Sequence, residues 1–262
     1  MASTARVTSL YHEVRGTGPA VLLIAGATGD GGHFTRASER LADEFTIITY
    51  DRRGNSRSKA PAEPDVARIS AQADDAATLV RECGFDKAVI YGNSGGAIIA
   101  LELLARQPEV AKGAIVHEPP LVALLPHQEG PNPLESIFEM AQSDPRAALE
   151  MFIRANTSSG VWEGLEPNLR ERILGNAETL FNREMNHFLS YVPDEATLRA
   201  CGVPVVLLTS KNGLEFAPHI QALLEARLRV KGGTITGGHT PFNDMPEVFA
   251  EELRPILRSL WS

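Results

Sequence analysis

Residues 89–97 read Val89-Ile90-Tyr91-Gly92-Asn93-Ser94-Gly95-Gly96-Ala97, so a short apolar run leads directly into a Gly-x-Ser-x-Gly motif. The apolar run predicts a buried strand, and the spacing of apolar residues over Gly96–Arg106 predicts a helix. A serine on the tight turn between them has its hydroxyl pushed above the sheet. Glycines flank it because side chains there would strike the neighbouring strand and helix. The motif therefore predicts that Ser94 is a nucleophile.

The rest of the chain alternates short aliphatic or β-branched runs with longer helical patterns, which is typical of a parallel sheet with crossover helices. The run over Ala20–Ile24 is apolar on both faces, as a buried central strand should be. Eight strands are predicted in all: Arg6–Leu10, Tyr11–Arg15, Ala20–Ile24, Thr46–Tyr50, Ala88–Tyr91, Gly113–Val116, Pro204–Leu208 and Arg229–Thr234. Helices are predicted between them over Ser70–Cys83, Gly96–Arg106 and Met245–Leu260.

One block, from Pro119 to about Val203, interrupts this alternation with helical patterns alone. Its helices are predicted over Leu134–Gln142, Pro145–Ala155, Asn168–Asn176 and Ala177–Leu189. Helices inserted between two parallel strands would lie as a lid over the carboxyl edge of the sheet, where ligands bind in such folds. Residues 1–118 and 203–262 would then form the core domain and residues 119–202 the lid. A separate helical domain with no role in the site is the alternative.

A serine needs a base within hydrogen-bond reach to become a good nucleophile. His239 is the best placed of the seven histidines, because it lies in the loop Thr236–Pro241 between the last predicted strand and the C-terminal helix. A loop at a strand end can present a side chain over the site without breaking a ladder. His239 is therefore the predicted base.

The tetrahedral intermediate of acyl transfer needs backbone amides at the point where negative charge develops. One predicted donor is the amide of Gly95, directly after Ser94. The second should come from the glycine-rich loop Ala25–Gly32, with Ala27 preferred and Gly26 as the fallback. Such a loop can also cradle phosphate, but this one has neither the G-x-G-x-x-G pattern nor the G-K-[S/T] ending of nucleotide loops.

The composition and charge of the chain limit the kinds of molecule that it is expected to bind. The formal net charge of −8 argues against a nucleic-acid partner, which would need a basic face. The N-terminus lacks the apolar run of a signal peptide, and no stretch approaches a membrane span. We therefore expect a cytoplasmic protein that acts on a small molecule, without a membrane partner. Cys83 and Cys201 are expected to be free thiols, with one disulfide as the alternative, and neither belongs to a zinc-binding cluster.

Taken together, the glycine-rich loop, the segment Tyr50–Ser58, the Gly-x-Ser-x-Gly turn and the Gly-Gly-His loop at His239 resemble the α/β-hydrolase fold superfamily of serine hydrolases. The resemblance covers essentially the whole chain. It implies an α/β fold with a mostly parallel eight-stranded sheet flanked by helices and an inserted helical lid, or cap domain.

The resemblance also raises the question of the triad acid. The family usually carries Asp after the seventh strand, where this chain has Asn212, and an asparagine cannot supply the anion that stabilises a histidinium. Glu118 follows the preceding strand, a position that some members use. Among them, zearalenone-type lactonases are similar around His117-Glu118 and in the Gly-x-His-x-Pro loop. Glu118 is the predicted acid, Glu215 is a further candidate, and a hinge role for Glu118 is the alternative.

The resemblance implies a hydrolase that cleaves a carboxylic ester or lactone, with a macrolactone as one candidate substrate. Ser94 would form an acyl-enzyme and His239, oriented by Glu118, would transfer protons, with no metal or organic cofactor. The alternatives are a carbon–carbon bond hydrolase with the same triad and a ligand-sensing protein with slow turnover. A haloalkane dehalogenase would need Asp in place of Ser94. The oligomeric state stays open, with a homodimer as one option.

Two residues are predicted to line the substrate pocket. Gly26 belongs to the loop that supplies an oxyanion donor, and Trp162 lies in the glycine-rich segment Ser158–Gly164 of the lid. Packing of Trp162 between lid and core is the alternative, because apolar faces of lid helices more often serve packing than substrate contact.

Overall fold

The computed structural model describes residues 10–58, 68–126 and 134–262. In these ranges seven strands form one sheet in the order β1-β3-β2-β4-β5-β6-β7. β1 pairs antiparallel with β3, and every other neighbouring pair is parallel. The strands are β1 His12–Arg15, β2 Ala20–Ile24, β3 Thr46–Tyr50, β4 Ala88–Asn93, β5 Ala111–His117, β6 Val205–Asn212 and β7 Gly232–Gly238. The sheet is that of an α/β-hydrolase fold.

The central strands are buried on both faces, so successive residues enter two separate cores. In β2, Leu22 and Ile24 belong to one apolar cluster, whereas Val21 and Leu23 belong to the other. Helices cover both clusters, as an all-parallel region requires. The first is covered by α2 (Ile69–Glu82), α3 (Gly95–Arg106) and α11 (Ala217–Leu228), and the second by α1 (Thr35–Leu41), α12 (Pro241–Asp244) and α13 (Pro246–Trp261).

Between β5 and β6 the described residues form helices and no strand; we call residues 119–203 the helical insertion. Its helices are α4 (Glu135–Ser143), α5 (Pro145–Asn156), α6 (Val161–Gly164), α7 (Pro167–Gly175), α8 (Ala177–Thr179), α9 (Met185–Leu189) and α10 (Glu195–Ala200). A π-helical turn, Leu180–Glu184, joins α8 to α9. The predicted helix over residues 177–189 is therefore one helical path with a widened turn, a feature that is frequent at functional sites.

Several strands and helices differ from those predicted from the sequence. The predicted strand Arg6–Leu10 lies outside the described residues except for Leu10, and the described sheet has seven strands, not eight. The last strand begins at Gly232, not at Arg229, because Arg229 adopts φ 59° after α11 and turns the chain. Helix α1 was not predicted, because its seven residues span too few turns to show a clear periodicity.

No helix in the described part of the chain is long and apolar enough to cross a bilayer. Cys83 and Cys201 are both free and half-buried. Burial raises the pKa of the Cys83 thiol.

The turn at Ser94 is close-packed against the sheet. A Cβ on Gly92 would come within 2.2 Å of the carbonyl oxygen of Gly96, and a Cβ on Gly96 within 2.1 Å of that of Ile24. These obstacles are backbone atoms, which cannot rotate away as a side chain can. The two glycines are therefore required for α3 to start directly behind β4 and beside β2.

We expect Gly96→Ala to destabilise the protein by at least about 1–3 kcal/mol, the usual cost of overpacking a buried site. The measurement is the free energy of unfolding in urea. Gly164→Ala is the matched control, because a Cβ at Gly164 meets no atom within 4 Å. Equal stabilities for the two variants would contradict the steric role assigned to Gly96.

Candidate active site

Ser94 lies between β4 and α3 with φ 56° and ψ −127°, a conformation that non-glycine residues rarely adopt. Its N–H donates to the carbonyl of His117 at 2.9 Å, so the ladder between β4 and β5 continues up to the serine. The first helical amides of α3 follow immediately. The strained turn holds the side chain at the carboxyl edge of the sheet, beside a helix N-terminus that favours negative charge.

His239 and Glu118 meet above this edge. Nδ1 of His239 lies 2.6 Å from Oε2 of Glu118, and both side chains are buried. Glu118 directly follows β5 and has φ 47°, and His239 directly follows β7. When Nδ1–H donates to the carboxylate, Nε2 of the neutral ring is left as the acceptor for a nucleophile's proton.

Backbone amides of β6 and of the segment after it also hold the Glu118 carboxylate. Its Oε1 accepts from Ser210 N–H at 2.8 Å, and its Oε2 accepts from Leu214 N–H at 3.4 Å. Burial acts to raise the pKa of Glu118, but the hydrogen bond and charge of His239, the nearby His117 and the Ser210 amide together lower it below its usual value. Glu118 is therefore a carboxylate at neutral pH.

The residue that makes room for Glu118 is Gly213. A Cβ at this position would lie 1.8 Å from Oε1 of Glu118, so any other residue would push the carboxylate away. Gly213 follows β6, which lies between β5 and β7 in the sheet. The segment that usually supplies the acid therefore supplies in this chain the space and the amides for an acid from the neighbouring strand.

A second layer of buried polar side chains supports the pair. His117 contacts the Tyr91 hydroxyl through Nδ1 at 2.7 Å and the Ser210 hydroxyl through Nε2 at 3.0 Å. Asn93, next to Ser94, donates from Nδ2 to the His239 carbonyl at 3.0 Å. These hydrogen bonds link β4, β5, β6 and the loop after β7. The positions of Glu118 and His239 therefore depend on each other.

The predicted oxyanion residues lie beside Ser94. Gly26, Ala27 and Gly95 line the same cavity as Ser94. A Cβ on Gly26 would come within 2.8 Å of Cβ of Ser94, so only glycine allows the loop to pass this close. The Gly26 carbonyl accepts from Gly29 N–H at 3.0 Å and closes a tight turn.

The cavity has a volume of about 1370 Å³, above the roughly 300–1,000 Å³ of ordinary ligand pockets. Ser94, His239 and the Gly26–Ala27 loop line it from the core. The helical insertion contributes a largely apolar wall: Leu134, Ile137, Phe152, Ile153, Met185, Phe188 and Leu189. Polar groups on the wall include Asn156, Thr157 and Ser158. The cavity can therefore hold a bulky, mainly apolar molecule.

The prediction that Trp162 forms a pocket wall disagrees with the structure. Trp162 is 4% exposed and belongs to the apolar core that the insertion shares with the sheet. It is not among the residues that line the cavity, whereas Phe152 and Phe188 are. The glycine-rich segment suggested an open loop, but its Val161–Gly164 part forms a short helix that turns the indole inward.

Glu215, the further acid candidate, lines the cavity, as does Asn212, which lies where the family usually carries the acid. The described hydrogen bond of His239 Nδ1 is to Glu118. Sequence reasoning missed Gly213, although its place beside Asn212 was a usable signal. It also missed Arg52 and Glu184, which form a buried ion pair and carried no signal beyond their charge.

Comparison with known proteins shows to which family this chain belongs. The sequence profile described as "Alpha/beta hydrolase family" matches residues 21–252. The chain belongs to this family. It is 30% identical over 254 residues to the uncharacterized hydrolase YraK of Bacillus subtilis strain 168, covering 95% of this chain and 92% of that protein.

Two further similarities come from a named enzyme and a solved structure. Zearalenone hydrolase of Cladophialophora bantiana is 25% identical over 253 residues, covering 92% of this chain and 89% of that enzyme. A thermophilic esterase from Thermogutta terrifontis superposes with a TM-score of 0.76 at 24% identity, over 97% of this chain and 94% of the esterase. The chain is thus a hydrolase of the α/β-hydrolase family, as the sequence resemblance implied.

The described residues include no group of three or more His, Cys, Asp or Glu side chains placed to hold a metal ion. That the reaction needs neither a metal nor an organic cofactor stays a prediction.

Buried histidines should make stability depend on pH. Burial lowers the pKa of His117 to about 3 and that of His33 to about 4, whereas histidine in an unfolded chain titrates near pH 6.5. Below about pH 6.5 the unfolded state therefore binds more protons, so the free energy of unfolding falls as pH drops, by up to about 1.4 kcal/mol per unit for each histidine.

The measurement is urea unfolding at a series of pH values across this window. In His117→Gln the free energy of unfolding should fall less steeply as the pH drops. His187→Gln, which removes an exposed histidine, should keep the wild-type dependence of this free energy on pH. A wild-type slope in His117→Gln would show that His117 does not stay neutral in the folded state.

Proposed function

We propose that this hydrolase cleaves a carboxylic ester or lactone through an acyl-enzyme formed on Ser94. The observation that carries the proposal is the 2.6 Å contact between His239 and Glu118, made in the wall of the cavity that Ser94 also lines. A buried carboxylate on the far nitrogen of a histidine is the arrangement that fixes the tautomer and offsets the imidazolium charge.

In the first half of the reaction, Ser94 Oγ attacks the ester carbonyl carbon while His239 takes its proton. The carbonyl oxygen becomes an oxyanion, held by the N–H groups of Ala27 and Gly95. The carbon–oxygen bond to the alcohol then breaks, and His239 returns the proton to the leaving oxygen. In a lactone the alcohol and the acyl group belong to one molecule, so the opened chain stays attached to Ser94.

The second half repeats these steps with water as the nucleophile. His239 takes a proton from water, the hydroxide adds to the acyl carbon, and collapse returns the proton to Ser94 Oγ. Glu118 stays ionised throughout. Its lowered pKa supports this role, because a carboxylate that accepted the proton could not offset the histidinium charge.

The helical insertion acts in this proposal as a lid, with residues 119–202 forming the cap and residues 1–118 and 203–262 the core. The apolar cavity wall from α4, α5 and α9 supports this division. The cavity is large enough for a bulky substrate, and the similarity to zearalenone hydrolase makes a macrolactone the first candidate. A panel of p-nitrophenyl esters, macrolactones and diketone ring-fission products would separate this proposal from carbon–carbon bond hydrolysis or ligand sensing.

Ser94→Ala should abolish hydrolysis and leave the fold intact, since removing the nucleophile of a serine protease costs about a million-fold in kcat. The readout is turnover of p-nitrophenyl butyrate, with the melting temperature as the folding control. Peptide mass spectrometry after a fluorophosphonate probe should find the adduct on Ser94. An active Ser94→Ala enzyme, or an adduct elsewhere, would contradict the proposal.

Glu118→Gln should lower kcat by several orders of magnitude, because replacing the triad acid by its amide costs about 10⁴ in a serine protease. Gly213→Ala should lower kcat in the same direction, because the new Cβ displaces the carboxylate. Asn212→Ala and Glu215→Gln are the matched controls and should have far smaller effects. The assignment of the acid would be wrong if Glu215→Gln were inactive and Glu118→Gln nearly as active as wild type.

A further inference from the structure

Arg52 is a fully buried arginine two residues after the end of β3. Its Nη2 donates to the carbonyl oxygen of Gly26 at 2.9 Å, and its backbone N–H donates to the carbonyl of Gly29 at 2.8 Å. Arg52 therefore holds both ends of the turn that passes in front of Ser94.

The carbonyl of Gly26 and the N–H of Ala27 belong to one peptide unit, which is planar and rigid. That N–H is the second oxyanion donor in the proposed reaction. The Gly26 oxygen accepts two hydrogen bonds, from Arg52 at 2.9 Å and from Gly29 N–H at 3.0 Å. Fixing the oxygen end of the plane also fixes the direction of its N–H end.

We propose that Arg52 is a positioning residue for catalysis, which aims the Ala27 N–H at the oxyanion by holding the Gly26 carbonyl. The inference rests on the proposed function, because it presupposes that Ala27 is an oxyanion donor. Hydrogen bonding at a carbonyl also polarises the amide, which strengthens its N–H as a donor. A preorganised donor costs no reorganisation when charge develops.

Glu184 of the helical insertion is the ion-pair partner of Arg52. Its carboxylate binds Arg52 through two contacts, of 2.6 Å and 2.9 Å, and both side chains are buried. Gln72 also accepts a hydrogen bond from Arg52, and Asn55 donates to Glu184 at 3.3 Å. The Arg52–Glu184 pair is neutral overall. It therefore adds no net charge next to the oxyanion while Arg52 orients the peptide.

The position of Glu184 connects the helical insertion to the oxyanion donors. Glu184 is the last residue of the π-helical turn, and Phe188, one turn further on, lies close to both Arg52 and Gly95. The Phe188 ring lies 5.4 Å from Cζ of Arg52, and its edge would lie 3.0 Å from a Cβ on Gly95. The insertion therefore supports both donor peptides, Gly26–Ala27 through the ion pair and Gly95 through the ring.

The test is the charge-neutral pair Arg52→Gln/Glu184→Gln, assayed with p-nitrophenyl butyrate. Replacing a buried ion pair as a whole avoids leaving one charge unpaired, which is the destabilising case. Losing an oxyanion donor costs about 10²–10³ in kcat, so misaiming one should cost about 10- to 100-fold, with KM changed less than about threefold. The inhibition constant of an aryl trifluoromethyl ketone, whose Ser94 adduct is an oxyanion, should rise as kcat/KM falls.

Thr179→Val is the matched control. The Thr179 hydroxyl donates to the Gly54 carbonyl at 3.0 Å, so it also ties the insertion to the core, but it does not contact Gly26. Its kcat should stay close to that of wild type. A kcat within about threefold of wild type in the folded double variant, or an equal loss in Thr179→Val, would overturn the role of Arg52.

Arg52→Lys provides a second measurement that does not depend on the double variant folding. Lysine keeps a positive charge opposite Glu184 but lacks the planar fork of Arg52. The Ala27 amide resonance in a ¹H–¹⁵N spectrum should therefore move in Arg52→Lys and stay in place in Thr179→Val; an unmoved resonance in Arg52→Lys would overturn the proposal. If Ser94→Ala loses activity and the Arg52 variants keep it, only this inference fails, whereas an active Ser94→Ala enzyme would instead remove the proposed function.

Discussion

The hydrogen bond between Glu118 and His239 spans three strands of the sheet, and the rest of the site is built around it. Glu118 follows β5, His239 follows β7, and β6 lies between these two strands. The carboxylate reaches across because β6 is followed by Gly213, whose missing side chain leaves the space, and because the amides of Ser210 and Leu214 donate to it. A buried carboxylate needs such partners, since desolvation alone would neutralise it.

Buried polar contacts also join the core to the helical insertion. Arg52 meets Glu184, and Asp30 accepts from Arg172 of α7 at 2.7 Å and 3.1 Å. Asn176 donates to the Thr28 carbonyl at 2.7 Å. In each contact, one residue belongs to the part of the insertion that runs from α7 to the π-helical turn. The other belongs to the glycine-rich loop Ala25–Gly32 or to the segment after β3. Buried polar contacts of this kind depend strongly on geometry, because one missing partner leaves an unpaired polar group or charge. These contacts fix the insertion against the glycine-rich loop and Arg52, while its apolar residues line the cavity.

The part of the fold that the sequence predicted best is the part encoded by local pattern. The parallel sheet, the turn at Ser94 and the helical block between β5 and β6 all follow from periodicity and glycine spacing over short windows. The family resemblance was confirmed, and the structure brings Glu118, the candidate acid taken from that resemblance, to His239. Local pattern was a poor guide where a short helix followed a glycine-rich loop, as at Trp162, and where a left-handed residue moved a strand start, as at Arg229.

By itself the sequence determined the residue types on which the proposed reaction rests: a serine on a tight turn, a histidine in a strand-end loop and a carboxylate after the strand next to that turn. Only the tertiary structure decided how they are held. Gly213 makes room for Glu118, which lies 95 positions earlier in the chain. Arg52 is held by Glu184, which lies 132 positions later. Such contacts leave no periodic trace in the chain, since a glycine that makes room and an arginine that aims a peptide look like any other glycine or arginine until folding brings their partners together.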